Sequence, residues 1–152
     1  MTAHPHPQSL PRVVLDTNIL VAYALSGDAP ARRGTDVRDS VEAVRSGGVL
    51  LLSADTLAEL HRVLMRPAFD RYRSAAARAA FLDGVAAEAR MVVPAAVGRL
   101  CRDPDDDMFL AVALAADADW LVTMDQRLLA VGGIGRTRVL RPARFLEQWA
   151  GA

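Results

Sequence analysis

The 152-residue chain contains no lysine, so all 18 of its basic residues are arginine. A phosphate-binding P-loop needs its lysine, and Schiff-base enzymes need an amine nucleophile. Phosphoaspartate receivers and haloacid-dehalogenase-type phosphatases also rely on a lysine beside their aspartate, so all of these classes are set aside. Cysteine occurs once, at Cys101, which rules out an internal disulfide and fits a reducing, cytoplasmic setting. His61 is the only histidine outside the first few residues, which leaves a Cys/His zinc site without ligands. No apolar run approaches the roughly 20 residues of a membrane span. The opening MTAHPHPQSLP lacks the basic-then-apolar plan of a signal peptide, so residues 1–11 are expected to form a tail. Formal charge balances at +0, so no global field steers the protein toward nucleic acid or membrane.

What is present is apolar and acidic. An apolar fraction of 52% with 24% charged residues suits a globular domain, expected over residues 12–152. Short apolar runs read as buried strands at Arg12–Asp16, Val49–Leu52, Met91–Val93, Trp120–Thr123 and Arg138–Leu140. Between them lie helical patterns: Thr17–Leu25, Arg33–Ser46, a helix capped by Ser53 or Asp55 and running to about Met65, Ser74–Arg90, Asp103–Asp117, a short one from Asp125, and Pro142–Trp149. Strands alternating with helical crossovers predict a three-layer α/β/α sandwich around a parallel sheet of about five strands. In such sheets functional groups gather beyond the carboxyl ends of the strands.

Four separate segments send a carboxylate to that edge. VVLDTNIL delivers Asp16, the next strand is followed one turn into its helix by Glu59, and LVTMD delivers Asp125. The helix before the Trp120 strand opens with Asp103, Asp105, Asp106 and Asp107. Singly, each has a structural explanation. Aspartates end strands and cap helices, and acid at a helix N-terminus gains about 0.3–1 kcal/mol from the macrodipole. Convergence is what those explanations omit. Two carboxylates 4 Å apart repel by about 4 kcal/mol at an effective dielectric near 20, so a shared cation is the economical remedy. An all-oxygen donor set suits Mg²⁺ or Mn²⁺, one or two ions, which lower the pKa of bound water and stabilise charge on a phosphoryl group. The implied chemistry is phosphodiester hydrolysis.

VVLDTNIL, SADTLAELHRVL and CRDPDDDMFLAVALAADADWLVTMDQRLL together resemble the PIN-domain ribonucleases, in particular the VapC-like toxins of toxin–antitoxin systems. The likeness runs from about Arg12 to Phe145. It implies a metal-dependent endoribonuclease in which Asp16, Glu59 and Asp125 are metal-binding, catalytic acids. Asp107 stands where the third such acid usually sits, although some relatives keep an acid at the position of Asp106. Helical geometry favours Asp107, which shares a face with Leu110, Ala111 and Leu114, while Asp106 lies about 100° round toward Phe109 and Ala113. The assignment between these two neighbours stays open. Thr123 resembles a hydroxyl residue that orients the site, and Asn18 a polar residue that holds the first acid.

The resemblance also implies an RNA substrate, a homodimer and a cognate antitoxin. Arg62, Arg66, Arg71 and Arg73 follow Glu59 and could grip RNA phosphates at the cleft, or simply solvate their helix. His61, two residues beyond Glu59, lies on another face of the helix, which suits surface or packing. The alternative function is a PIN-fold module that binds RNA or scaffolds without cutting.

Overall fold

A computed structural model of the chain describes residues 9–26, 35–96, 98 and 104–150. The expected tail up to residue 8, the break at Gly27–Pro30, Cys101 and the Asp103 cap lie outside the described residues. The elements run β1 (Arg12–Leu15), α1 (Thr17–Ser26), α2 (Asp36–Gly47), β2 (Val49–Leu52) and α3 (Ala54–Leu64). A 3₁₀ turn (Pro67–Phe69), α4 (Ala75–Glu88), β3 (Arg90–Met91) and α5 (Pro104–Ala115) follow. The chain then forms β4 (Trp120–Val122), α6 (Gln126–Val131), β5 (Gly133–Ile134), β6 (Thr137–Leu140) and α7 (Pro142–Ala150).

The sheet has six strands, in the order β3-β2-β1-β4-β6-β5. Five are parallel, as expected, and the sixth, β5, pairs antiparallel with β6. The sequence gives no period-two pattern for β5 because it is two residues long and sits beside Gly132, Gly133 and Gly135. The third strand starts at Arg90, earlier than expected, and is likewise two residues long.

Strand alternation divides the core. Val13, Leu15, Leu50, Leu52 and Val122 face one side with residues of α1–α4 and α7, among them Ile19, Val41, Leu60, Leu82 and Phe145. Val14, Leu51, Leu121 and Val139 face the other, against Phe109, Leu110, Val112 and Ala113 of α5 and Leu128 of α6. The central strands β1, β2 and β4 are buried on both faces, which is why their sequences are almost continuously apolar.

Local signals set the helix ends. Ser53 rather than Asp55 caps α3, forming a reciprocal pair with Thr56: Thr56 N–H donates to Ser53 Oγ at 3.1 Å, and Ser53 N–H to Thr56 Oγ1 at 2.9 Å. The terminal helix packs on the body of its own chain. Trp120, Phe145 and Trp149 form a cluster with ring centroids 5.4–6.1 Å apart. Gly48, where α2 ends, passes beneath it, and a Cβ there would lie 3.2 Å from both Pro11 O and the Trp149 ring. Among the described residues no helix is long and apolar enough to cross a membrane.

Candidate active site

Asp16 immediately follows β1, and its N–H still donates to Val122 O at 3.0 Å, so the residue continues the strand alongside β4. Its carbonyl accepts from Ile19 and Leu20 N–H, which makes it the residue from which α1 springs. Turn and site roles therefore coincide in one buried aspartate, 6% exposed.

The carboxylate of Asp16 is held from β4. Thr123, fully buried, donates its hydroxyl to Asp16 Oδ2 at 2.7 Å and accepts from Asp125 N–H at 2.9 Å. One side chain thus fixes two of the expected acids. Asp125 caps α6, accepting from Arg127 N–H on Oδ1 at 2.8 Å. From the other side, the Thr17 hydroxyl at the start of α1 donates to Glu59 Oε2. Glu59 is largely buried on α3, and Arg62 Nη2 stands 3.8 Å from its Oε1.

Burial pushes the Asp16 carboxyl above the usual carboxylate range; the hydrogen bonds from Thr123 and from Thr17 N–H oppose this, and the negative charges of Glu59 and Asp125 add to it. Three acids from three separate elements therefore act on one another electrostatically at this edge.

The fourth acid enters through Arg127. Its Nε is 3.6 Å from Asp125 Oδ1 and 3.9 Å from Asp106 Oδ2. Asp106 is buried, whereas Asp107 lines a hollow of about 290 Å³ with Ser53, Asp55, Pro94, Ala95, Met108 and Ala111. None of Asp16, Glu59, Asp106 or Asp125 lines that hollow. The structure thus associates Asp106 with Asp125 and turns Asp107 toward the start of α3. The reason lies in the packing of α5. Phe109 to Ala113 are all buried, so α5 packs on a broad face; it reaches Ala113, seven residues beyond Asp106, but covers Leu114, seven beyond Asp107, only in part.

Two expected roles move. Asn18 is exposed on the first turn of α1, and among the described residues no hydrogen bond joins it to Asp16; the helix turns it about 100° away from Thr17. Thr123 does the holding instead. Arg73 spends its Nη1 on the Ala24 carbonyl, fastening α1 rather than facing a ligand, while Arg66 and Arg71 are exposed and His61 lies on the surface. Two residues went unnoticed in the sequence. Thr17 was visible only as a hydroxyl beside Asp16, and Arg127 only as a base two residues past Asp125.

The donor set consists of carboxylate and hydroxyl oxygen, which suits a hard divalent cation. Among the described residues no three acids stand close enough to chelate one ion as the side chains lie. Mg²⁺ does not require such a cage, since it keeps several waters and binds through one or two carboxylates. The mutual repulsion at Asp16 is what such an ion would relieve. The residues fit the group.

Comparisons with known proteins agree with this architecture. The chain is similar to the crystal structure of VapBC2 from Rickettsia felis bound to a DNA fragment from their promoter, at 15% identity and a TM-score of 0.54. That match covers 86% of this chain and 98% of the other. It is also similar to the crystal structure of PAE2754 from Pyrobaculum aerophilum, at 18% identity and a TM-score of 0.59, over 97% and 100% of the two chains. Among curated proteins none matches. A family model described as the PIN domain matches residues 12–127, a span that runs from the first residue of β1 to Arg127 and contains every acid considered above. The chain belongs to the PIN-domain family.

Proposed function

We propose that the protein is a Mg²⁺- or Mn²⁺-dependent endoribonuclease and the toxin half of a toxin–antitoxin pair. The observation that carries the nuclease assignment is the buried Asp16 carboxylate, aimed by Thr123 and flanked by the charges of Glu59 and Asp125. The toxin assignment draws on family membership and on the likeness to VapBC2, which shares the fold. A small antitoxin protein and a second copy of the chain are the partners this assignment entails.

One or two carboxylates of the set Asp16, Glu59, Asp106 and Asp125 would hold the ion directly, and the others would reach it through its waters. When bound it supplies charge stabilisation at the phosphoryl oxygens and a water of lowered pKa. The chain's own residues prepare that place. Thr123 points Asp16 Oδ2 and anchors the Asp125 backbone through one hydroxyl. Thr17 restrains Glu59, so acids from the two sides of β1 keep a fixed separation. Restraint of this kind raises rate by positioning, because the groups need no reorganisation as charge develops.

The test is cleavage of single-stranded and structured RNA with Mg²⁺ or Mn²⁺, comparing the natural chain with Asp16→Asn. Cleavage by the former alone is expected. Equal activity in both would remove Asp16 from the chemistry, and RNA bound yet never cut under either metal would favour a binding module. For the partner, co-expression with the product of a small neighbouring reading frame should relieve growth arrest and co-purify with this chain.

A further inference from the structure

The acidic edge already carries a cation of the protein's own. Arg127 sits in the first turn of α6 with Nε 3.6 Å from Asp125 Oδ1 and 3.9 Å from Asp106 Oδ2. Its side chain is 53% exposed, while those of Asp125 and Asp106 are 23% and 12% exposed. The guanidinium therefore comes from the solvent side and spans two acids that belong to different elements, one at the start of α5 and one after β4. Both separations exceed a hydrogen bond, so these two contacts are charge contacts that a rotamer change can break. By contrast, the Arg127 backbone N–H is bonded to Asp125 Oδ1 at 2.8 Å, so the main chain stays put when the side chain leaves.

From this placement we infer that Arg127 competes with the divalent cation for the Asp106–Asp125 pair. Guanidinium and metal ion neutralise the same carboxylates from the same side, and two cations crowded there repel. Loading the metal turns Arg127 outward, and emptying the site lets it return. Metal affinity is then set partly by a residue that binds no metal, and the acid pair keeps a counter-charge when no ion is bound. This inference rests on the metal-dependent function proposed above.

The experiment is a Mn²⁺ titration of the full chain, following the free-ion electron paramagnetic resonance signal. It uses the natural sequence, Arg127→Gln, Arg127→Lys, Asp125→Asn and, as a control for lost charge elsewhere, Arg144→Gln on α7. Arg127→Gln is expected to bind Mn²⁺ about three- to tenfold more tightly, the range for losing two partly exposed ion-pair contacts. Arg127→Lys and Arg144→Gln should stay near the natural affinity. If Arg127→Gln binds equally or more weakly while Asp125→Asn loses the ion, the competition is overturned and the metal site stands. If neither the natural chain nor Arg127→Gln binds Mn²⁺, both the competition and the metal-dependent function fall.

Discussion

Thr123 donates its hydroxyl to Asp16 Oδ2 across 107 residues of sequence, at 2.7 Å. Thr123 Oγ1 in turn accepts from Asp125 N–H, so both acids answer to one buried side chain. Thr123→Val keeps the shape and removes the hydroxyl. Cleavage and Mn²⁺ affinity should each fall by ~10–100-fold, the cost of losing a group that orients metal ligands. Stability should drop by about 1–3 kcal/mol, because buried polar atoms lose their partner. Thr123→Ser should restore most of both. Single-turnover cleavage and urea unfolding would show whether it does.

Asp106 and Asp107 differ in what they face, and paired variants separate them. Asp106→Asn is expected to lose cleavage and Mn²⁺ affinity by ~10–100-fold. Asp107→Asn, in the hollow beside Asp55, should remain within a few-fold of the natural chain. The reverse order would give the third acid's place to Asp107.

The pH dependence of stability follows from Asp16. Burial raises its carboxyl pKa in the folded protein above the ordinary 3.8, and the charges of Glu59 and Asp125 add to the rise. The folded state therefore binds this proton more tightly than the unfolded state does. The resulting stabilisation is complete below 3.8 and is lost as pH rises through the elevated value. At pH 7 in EDTA, Asp16→Asn should melt at a higher temperature than the natural chain. The gap should close as the pH is lowered toward 3.8. A lower melting temperature for the variant at pH 7 would contradict the burial cost.

Arg78 is fully enclosed although it is an arginine. It donates to the carbonyls of Arg73, Leu64 and Arg66 at 3.0, 2.7 and 3.2 Å and pairs with Asp70, tying the end of α3 to the start of α4. Arg78→Met should cost about 1–3 kcal/mol for each carbonyl left without a donor. Asp70→Ala, which removes the carboxylate but leaves the enclosed guanidinium its three carbonyl acceptors, should cost less than Arg78→Met. Urea unfolding of both variants checks the ranking.

The acids were legible because a parallel sheet leaves its strand ends as the natural place for polar chemistry, and Asp16 and Asp125 stand there in the sequence itself. Glu59 was legible from its position one turn into the helix after β2. The choice between Asp106 and Asp107 was not. Neighbouring residues on a helix differ by about 100°, and α5 is buried all the way from Phe109 to Ala113, a face too broad for an apolar stripe to single out one of the two. The holding role for Asn18 was implied by the resemblance alone, and the exposed position of Asn18 on the first turn of α1 was not legible from it. Arg127 is a tertiary matter altogether, since its second acid arrives from α5. The hairpin strand β5 was hidden by glycines, whose pattern is that of a turn.

β4 is inserted between β1 and β6, although most of the chain is made before it. A growing polypeptide that has emerged as far as α5 already carries Asp16, Glu59 and Asp106. It still lacks the hydroxyl that aims Asp16, and β1 presents an open edge until β4 arrives. Joining strands so far apart in sequence is slow compared with forming the helices between them. On the function proposed above, the acidic edge is therefore completed late in synthesis, a delay that resides in strand order and that no single substitution in the site would shorten.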